Sequence, residues 1–264
     1  MNKKTTQNRK INPKLKEGVP KTKKQIENIR YSCKIVAEII EKLHDLISEG
    51  ITTIDIDRYV EELILSKNAI PAFKGYHDFP NAACISINDA VVHGIPNNRP
   101  LRNGDIVGVD IGSIYNDGYS DTAFTYLIGD VSEPVKKLCK VTQESLYIGI
   151  REAKVGKRVG DIGFAISEYI KPYGYGVVEE YCGHGVGSNV WEPPEIPNYG
   201  RRGSGAELRE NMVIAIEPMI NLGTKKIYVE RDQWTVRTKD GLPSSHYEHT
   251  ILITNAGPEI LTRL

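Results

Sequence analysis

Five ionisable residues sit where an apolar core is expected. Asp110 lies in IVGVDIG, Asp121 in GYSDTAF, Glu217 in VIAIEPM, Glu248 in HYEHTILIT, and His184 in the glycine-rich YCGHGVG. The tracts around the acids read as β-strands, rich in β-branched and aromatic residues. A carboxylate inside a buried strand is costly unless it is paired, hydrogen-bonded or bound to a cation. Four carboxylates and a histidine in this setting point to one charge-compensated cluster, a carboxylate-rich metal site.

Local spacing supports such a cluster. Asp110 and Asp121 fall in consecutive strand-like tracts around the turn-forming Asn116-Asp117-Gly118. A hairpin centred between Tyr115 and Asn116 sets the two aspartates directly opposite, with Cβ atoms roughly 5 Å apart. Like charges at that distance repel, and a divalent ion between them removes the repulsion. Glu217 and Glu248 lie on later strands, and Gly183 and Gly185 let the backbone approach closely around His184. Four carboxylates and an imidazole exceed what one ion needs, whereas two ions roughly 3.5–4 Å apart share bridging carboxylates. An oxygen-rich donor set favours Mn, Fe or Co over a structural zinc site, with zinc itself left open. Taken singly, each residue has a bland reading: Asp110 as an edge residue, Glu217 before Pro218 as a strand end, His184 as a loop residue.

The rest of the chain reads as helices around strands. Thr22 and Gln25 form a T-x-x-Q capping box, followed by Ile26, Ile29, Cys33, Val36, Ile40, Leu43 and Ile47 at helical spacing, with Gly50 as a stop. Further helices are expected from Thr53 to about Lys67, from a Ser132 cap to about Lys154, and from about Gly160 to Ile170. Strands are expected over 84–88, 89–95, 105–112, 119–129, 177–181, 212–220, 234–239 and 247–254. Helix, helix, strands thus occurs twice. Gly50, Asp55, Ile56, Glu62 and Ile64 recur as Gly156, Asp161, Ile162, Glu168 and Ile170 at a constant offset of 106. The expected architecture is α+β: a catalytic domain over 22–264, in two pseudo-symmetric halves (about 22–131 and 132–264), with helices outside a curved antiparallel sheet. Clefts between such halves are preferred ligand sites.

Composition excludes some classes. No apolar run approaches a membrane span, and no apolar segment comes after the basic N-terminus as a secretory signal requires. The four cysteines show no C-x-x-C pair, which fits a reduced, cytoplasmic protein. The net charge is zero, but residues 1–24 hold nine Lys or Arg and one acid, leaving 25 basic against 33 acidic residues beyond. Residues 1–21 read as a basic, flexible arm; a contact with nucleic acid or the ribosome surface is the sharper alternative, weakened by the lack of aromatic residues to stack on bases.

The tracts CISINDAVVHGIP, GDIVGVDIG, YCGHGVG, IAIEPM and YEHTILIT resemble those of the type I methionine aminopeptidases, from about residue 22 to the C-terminus. These share the pita-bread fold with prolidases and creatinase. The resemblance implies that Asp110, Asp121, His184, Glu217 and Glu248 bind two divalent metals, and that His93 contacts substrate near the scissile bond. It implies a methionine pocket of Tyr76, Phe79, Cys84 and Trp234, although core packing or, for His93, strand capping would explain each alone. Glu217 is followed by Pro-Met, where prolidases continue with Gly, and the 31 positions from Glu217 to Glu248 leave no room for the type II insertion. The implied reaction removes the first methionine of peptides and nascent chains that have a small second residue. Glu217 acts there as general base, and the α-amino group binds beside Asp110. A monomer is the default.

Two departures stand out. The family motif His-Gly-x-Gly-x-x-x-His carries Trp191 in place of its second histidine, a donor to the substrate carbonyl. Trp keeps one N–H but cannot shuttle protons, so a slower or differently selective enzyme is expected. Tyr119-Ser120-Asp121 replaces the usual Tyr-His-Gly-Asp and is closer to the prolidase form. It keeps open an X-Pro peptidase, while Trp191 and the arm keep open a non-enzymatic peptide- or ribosome-binding module.

Overall fold

The structure, a computed structural model, describes residues 17–264; most of the expected basic arm, residues 1–16, lies outside the described residues. Lys21, counted with that arm by charge, is buried against Glu192 and donates its amide to the Asn211 carbonyl.

Helix α1 (Lys23–Leu46) starts at the expected capping box: the Gln25 amide donates to Thr22 Oγ1, and the Thr22 amide to Gln25 Oε1 at 2.9 Å. It buries Ile29, Cys33, Val36 and Leu43, the stripe read from the periodicity. It stops at Leu46, short of Gly50, whose φ of 92° serves the following turn. Helices α2 (Thr53–Ser66), α3 (Glu133–Glu152) and α4 (Val159–Ile170) come next. The echo at offset 106 falls on matching elements. Thr53 opens α2 and Val159 opens α4, the residues before them bridge to Pro100 and Glu207, and Gly50 and Gly156 are both left-handed.

Among the described residues, the strands pair antiparallel in four sheets. The first holds the long hairpin Ile106–Tyr115 and Gly118–Leu127, with Ala83–Ile87 and Ile70–Pro71 beside it. Its register differs from expectation. Asn116 and Asp117 are both left-handed (φ 46° and 62°), as a two-residue I′ turn requires, so the hairpin turns one residue later. Asp110 therefore pairs with Ala123, and Asp121 with Gly112. The aspartates are diagonal neighbours on one face, with backbones about 7–8 Å apart, not directly opposed. Alternation sends Val107, Val109 and Ile111 to the other face, into a core shared with α1 and α2.

The second half is more broken than its sequence predicts. The tract 212–220 forms two strands in different sheets, Val213–Ile216 and Met219–Asn221, because Pro218 has no N–H for the ladder. The tract 247–254 starts as a strand only at His249, and Ser244–His246 precedes it in the other sheet. His249 pairs with Ile216 and His246 with Met219, so both chains switch sheets side by side. Glu217 and Glu248 lie at that switch. Ile214, Ile216, Ile251 and Ile253 pack outward into the core under α3 and α4.

Other expected strands shrink. Only Gly176–Val177 remains of 177–181, Val236–Thr238 of 234–239, and Ala90–Val92 of 89–95. Gly183–Gly185 and Glu192–Ile196 are strands that their glycine and proline content hid. A bridge from Ala123 to Glu248 joins the first sheet to the later strands, with the Tyr119 amide donating to the Gly187 carbonyl beside it and Thr122 Oγ1 to the Glu248 carbonyl (2.8 Å) and Thr250 Oγ1 to the Asp121 carbonyl (2.7 Å) reinforcing it. Among the described residues, no helix is long and apolar enough to cross a membrane.

Candidate metal centre

A cavity of about 350 Å³ opens between the first sheet and the later strands. Asp110, Asp121, His184, Glu217 and Glu248 all line it, as do His93, Tyr76, Phe79, Cys84, Trp191 and Trp234. Asp110 and Asp121 come from the hairpin face turned away from α1. Glu217 and Glu248 come from the sheet switch, and the Glu217 carbonyl is held there by Asn198 Nδ2 at 3.0 Å. His184 comes from the short strand between two glycines. A Cβ on Gly183 would lie 2.3 Å from the Ala215 carbonyl oxygen, and one on Gly185 2.4 Å from that of Pro193. Only glycine lets these strands close around the histidine.

His184 is oriented by its own backbone. Its Nδ1 lies 3.0 Å from the Gly185 carbonyl, which can only accept, so Nδ1 carries the proton. Nε2 is left with a lone pair, 3.6 Å from Asp121 Oδ2 and 3.5 Å from Glu217 Oε1. This is the arrangement that a histidine ligand adopts. Donor atoms of Asp121, His184 and Glu248 all lie within 4.8 Å of one another, and all three residues are buried. Asp110 Oδ1, Asp121 Oδ1 and Glu248 Oε1 are buried without any hydrogen-bond partner among the described residues.

Burial pushes Asp110 and Glu217 up to about 7, and holds Asp121 and Glu248 well above the usual carboxylate range, with neighbouring carboxylates adding to the rise for the last two. The protein alone cannot keep all four ionised; a cation in their midst can. Orphaned oxygens, a histidine lone pair and a surplus of negative charge together fit divalent metal.

The walls beside this floor are apolar. Phe79 is buried and meets Trp234 edge-to-face, with centroids 5.1 Å apart. Trp234 is held in a turn whose amide donates to Asp232 Oδ1 at 2.9 Å. His93, expected at a strand end, sits one residue past Ala90–Val92 with a left-handed φ of 57°. Such a conformation in a non-glycine residue concentrates at functional sites. Burial lowers His93 to about 4, so its imidazole is neutral near neutral pH. Tyr76 and Trp191, 39% and 45% exposed, form the rim rather than the depth of the pocket. Ser120 points the other way: its hydroxyl joins those of Ser113 (3.0 Å) and Ser32 (3.1 Å), tying the hairpin to α1.

Sequence reasoning missed several lining residues, among them Phe73, Glu180, Tyr181, Val190 and Glu195. Two had a signal, because Tyr181 and Val190 adjoin singled-out residues. His246 was also missed. It is buried beneath Glu217, and its position two residues before Glu248 was the available clue.

A buried carboxylate–imidazole cluster at the floor of an apolar pocket, between antiparallel sheets with helices outside, is the architecture of a pita-bread metallopeptidase. The profile described as metallopeptidase family M24 matches residues 27–255. A methionine aminopeptidase of Clostridium acetobutylicum is 48% identical over 239 residues, 90% of this chain and 96% of that protein. The crystal structure of a methionine aminopeptidase from Thermotoga maritima superposes with a TM-score of 0.92 at 42% identity, covering 94% of this chain and 100% of that one. A prolidase from Pyrococcus furiosus gives 0.76 at 29% identity, with 95% of this chain but 66% of that one covered. The chain belongs to metallopeptidase family M24, and within it to the methionine aminopeptidases.

Proposed function

We propose that this protein removes the N-terminal methionine from peptides and nascent proteins whose second residue is small, using two divalent ions of Mn, Fe or Co. The observation that carries the reading is the convergence of buried, unpartnered carboxylate oxygens and the His184 lone pair at the end of a pocket walled by Phe79 and Trp234. Asp110, Asp121, His184, Glu217 and Glu248 would hold the ions. Bound divalent cations supply Lewis acidity, which draws the pKa of water toward neutral and polarises a carbonyl.

The chain's own residues do the rest. Glu217 accepts the proton of the attacking water and passes it toward the leaving amine. Neutral His93 donates a hydrogen bond to the substrate near the scissile carbonyl. Phe79, Cys84 and Trp234 receive the methionine side chain, whose sulfur packs well against aromatic edges. Tyr76 and Trp191 at the rim restrict the size of the second residue, so Trp191 sets both the rate and that tolerance. The one sequence feature that favoured X-Pro substrates loses its force, because Ser120 faces α1 and not the pocket.

Two related halves, about 22–131 and 132–264, descend in this reading from one duplicated unit. The basic arm contacts the ribosome surface, and the protein works as a cytoplasmic monomer. The unpaired cysteines among the described residues fit a reducing compartment.

A panel of Met-X-Ser peptides, assayed on protein loaded with each metal beside an X-Pro dipeptide, tests the reading. Release of methionine is expected for X = Gly, Ala or Ser and not for bulky X. Hydrolysis of the X-Pro dipeptide alone, or no hydrolysis with any metal, would overturn it.

A further inference from the structure

His246 has no part in the functions above, yet it lies against them. Its side chain is buried, and its Nε2 has no hydrogen-bond partner among the described residues. Among the described residues, the one carboxylate within ion-pair distance of that nitrogen is Glu217, with Oε2 at 3.5 Å. The other oxygen of the same carboxylate, Oε1, is 3.5 Å from His184 Nε2. Glu217 therefore stands between two imidazoles. His184 presents a lone pair, because its proton is on Nδ1. A donor to this carboxylate must come from the other side, where His246 is.

The backbone of His246 is fixed independently of the site. Its amide donates to Thr125 Oγ1 at 3.2 Å, and the same hydroxyl donates to its carbonyl at 2.7 Å. Its strand pairs through Met219, two residues beyond Glu217. The ring thus projects from a ledge clamped on both edges. An orphaned buried nitrogen calls for a functional explanation, and the nearest acceptor supplies one.

We propose that His246 is a positioning residue: its Nε2–H donates to Glu217 Oε2 and fixes the carboxylate with Oε1 turned toward His184 and Asp121. This inference rests on the metallopeptidase reading of the cluster. Glu217 lies where the strand pairing is interrupted before Pro218 and no ladder hydrogen bond steadies the backbone, so an outside brace has most effect there.

The test compares three variants of the full chain. H246Q keeps a neutral N–H at similar reach, H246L removes the donor at similar bulk, and H246N keeps a donor that is too short. Each is measured for thermal unfolding, for cobalt(II) affinity by calorimetry, for the visible spectrum of the cobalt form, and for kcat and KM on Met-Ala-Ser. Loss of the brace is expected to weaken cobalt binding by about 10–100-fold in H246L and H246N. Their cobalt bands should shift, and kcat should fall with KM little changed. H246Q should restore the spectrum and most of kcat. Wild-type cobalt spectra and affinity in H246N, or in a folded H246L, would overturn the proposal, as would an H246Q variant no better than H246N. Should the wild type bind cobalt without cleaving Met-Ala-Ser, the aminopeptidase reading fails while the spectral comparison still decides the role of His246.

Discussion

Trp191 is the residue where this chain departs most from the pattern it resembles, and it stands at the pocket rim, 45% exposed. An indole offers one N–H and no titratable proton, so a donor aimed at the tetrahedral species is weakened or misplaced. Trp191→His is expected to raise kcat on Met-Ala-Ser by up to about 10²-fold, the size of one transition-state donor. Turnover unchanged on both Met-Ala and Met-Gly peptides would show that Trp191 does not limit the reaction. His93 makes the complementary case. In the proposed function its left-handed backbone and neutral ring serve substrate and not metal, so His93→Ala should lose turnover while metal content, measured by elemental analysis, stays at the wild-type value. Normal turnover in that variant would remove His93 from the mechanism.

At the scale of elements, the helices were legible and the sheet breaks were not. The capping box and the stripe of α1, and the start of α2 at Thr53, come from local chemistry that acts within a few residues. The five clustered residues were legible because a buried carboxylate breaks the apolar pattern wherever it occurs. The register of their hairpin was not, since it depends on which two residues turn left-handed, and Asn116-Asp117 won over Tyr115-Asn116. The sheet switch at Glu217 and Glu248 was hidden because both sides of each break are strongly β-forming. Gly183–Gly185 and Glu192–Ile196 were hidden for the opposite reason: their strands exist for close approach, not for side-chain packing. Gly185→Ala tests that account. Its methyl would strike the Pro193 carbonyl, so a loss of about 1–3 kcal/mol in stability is expected from urea unfolding, together with weaker metal binding. A variant as stable as wild type would show that the strands have room to part.

For the whole molecule, the cluster couples stability to pH and to metal. Asp110 and Glu217 lie near 7 in the folded chain, well above the ordinary carboxylate value of about 4. Their folded-state pKa is raised, so their contribution is full below about pH 4 and is lost as pH rises toward 7. His93 and His249, both lowered to about 4, act in the opposite sense, with stability present above the unfolded value and lost as pH falls. A bound cation removes the carboxylate penalty. The gap in melting temperature between metal-loaded and metal-stripped protein should therefore widen from pH 5 to pH 8. A constant gap would mean that these carboxylates do not meet the ion.

The bridge between Ala123 and Glu248 has a consequence for how the molecule could be divided. A cut after Val131 leaves Asp110 and Asp121 on one fragment and His184, Glu217 and Glu248 on the other. Neither fragment owns a complete donor set, although Ala90–Val92 would still pair with Val236–Thr238 across the cut. The cation then changes its part, from reagent to fastener. Two such fragments, made as separate chains, should associate more tightly when manganese or cobalt is added and more weakly with a chelator. The centre would thereby become a reversible metal-tightened clasp between two polypeptides.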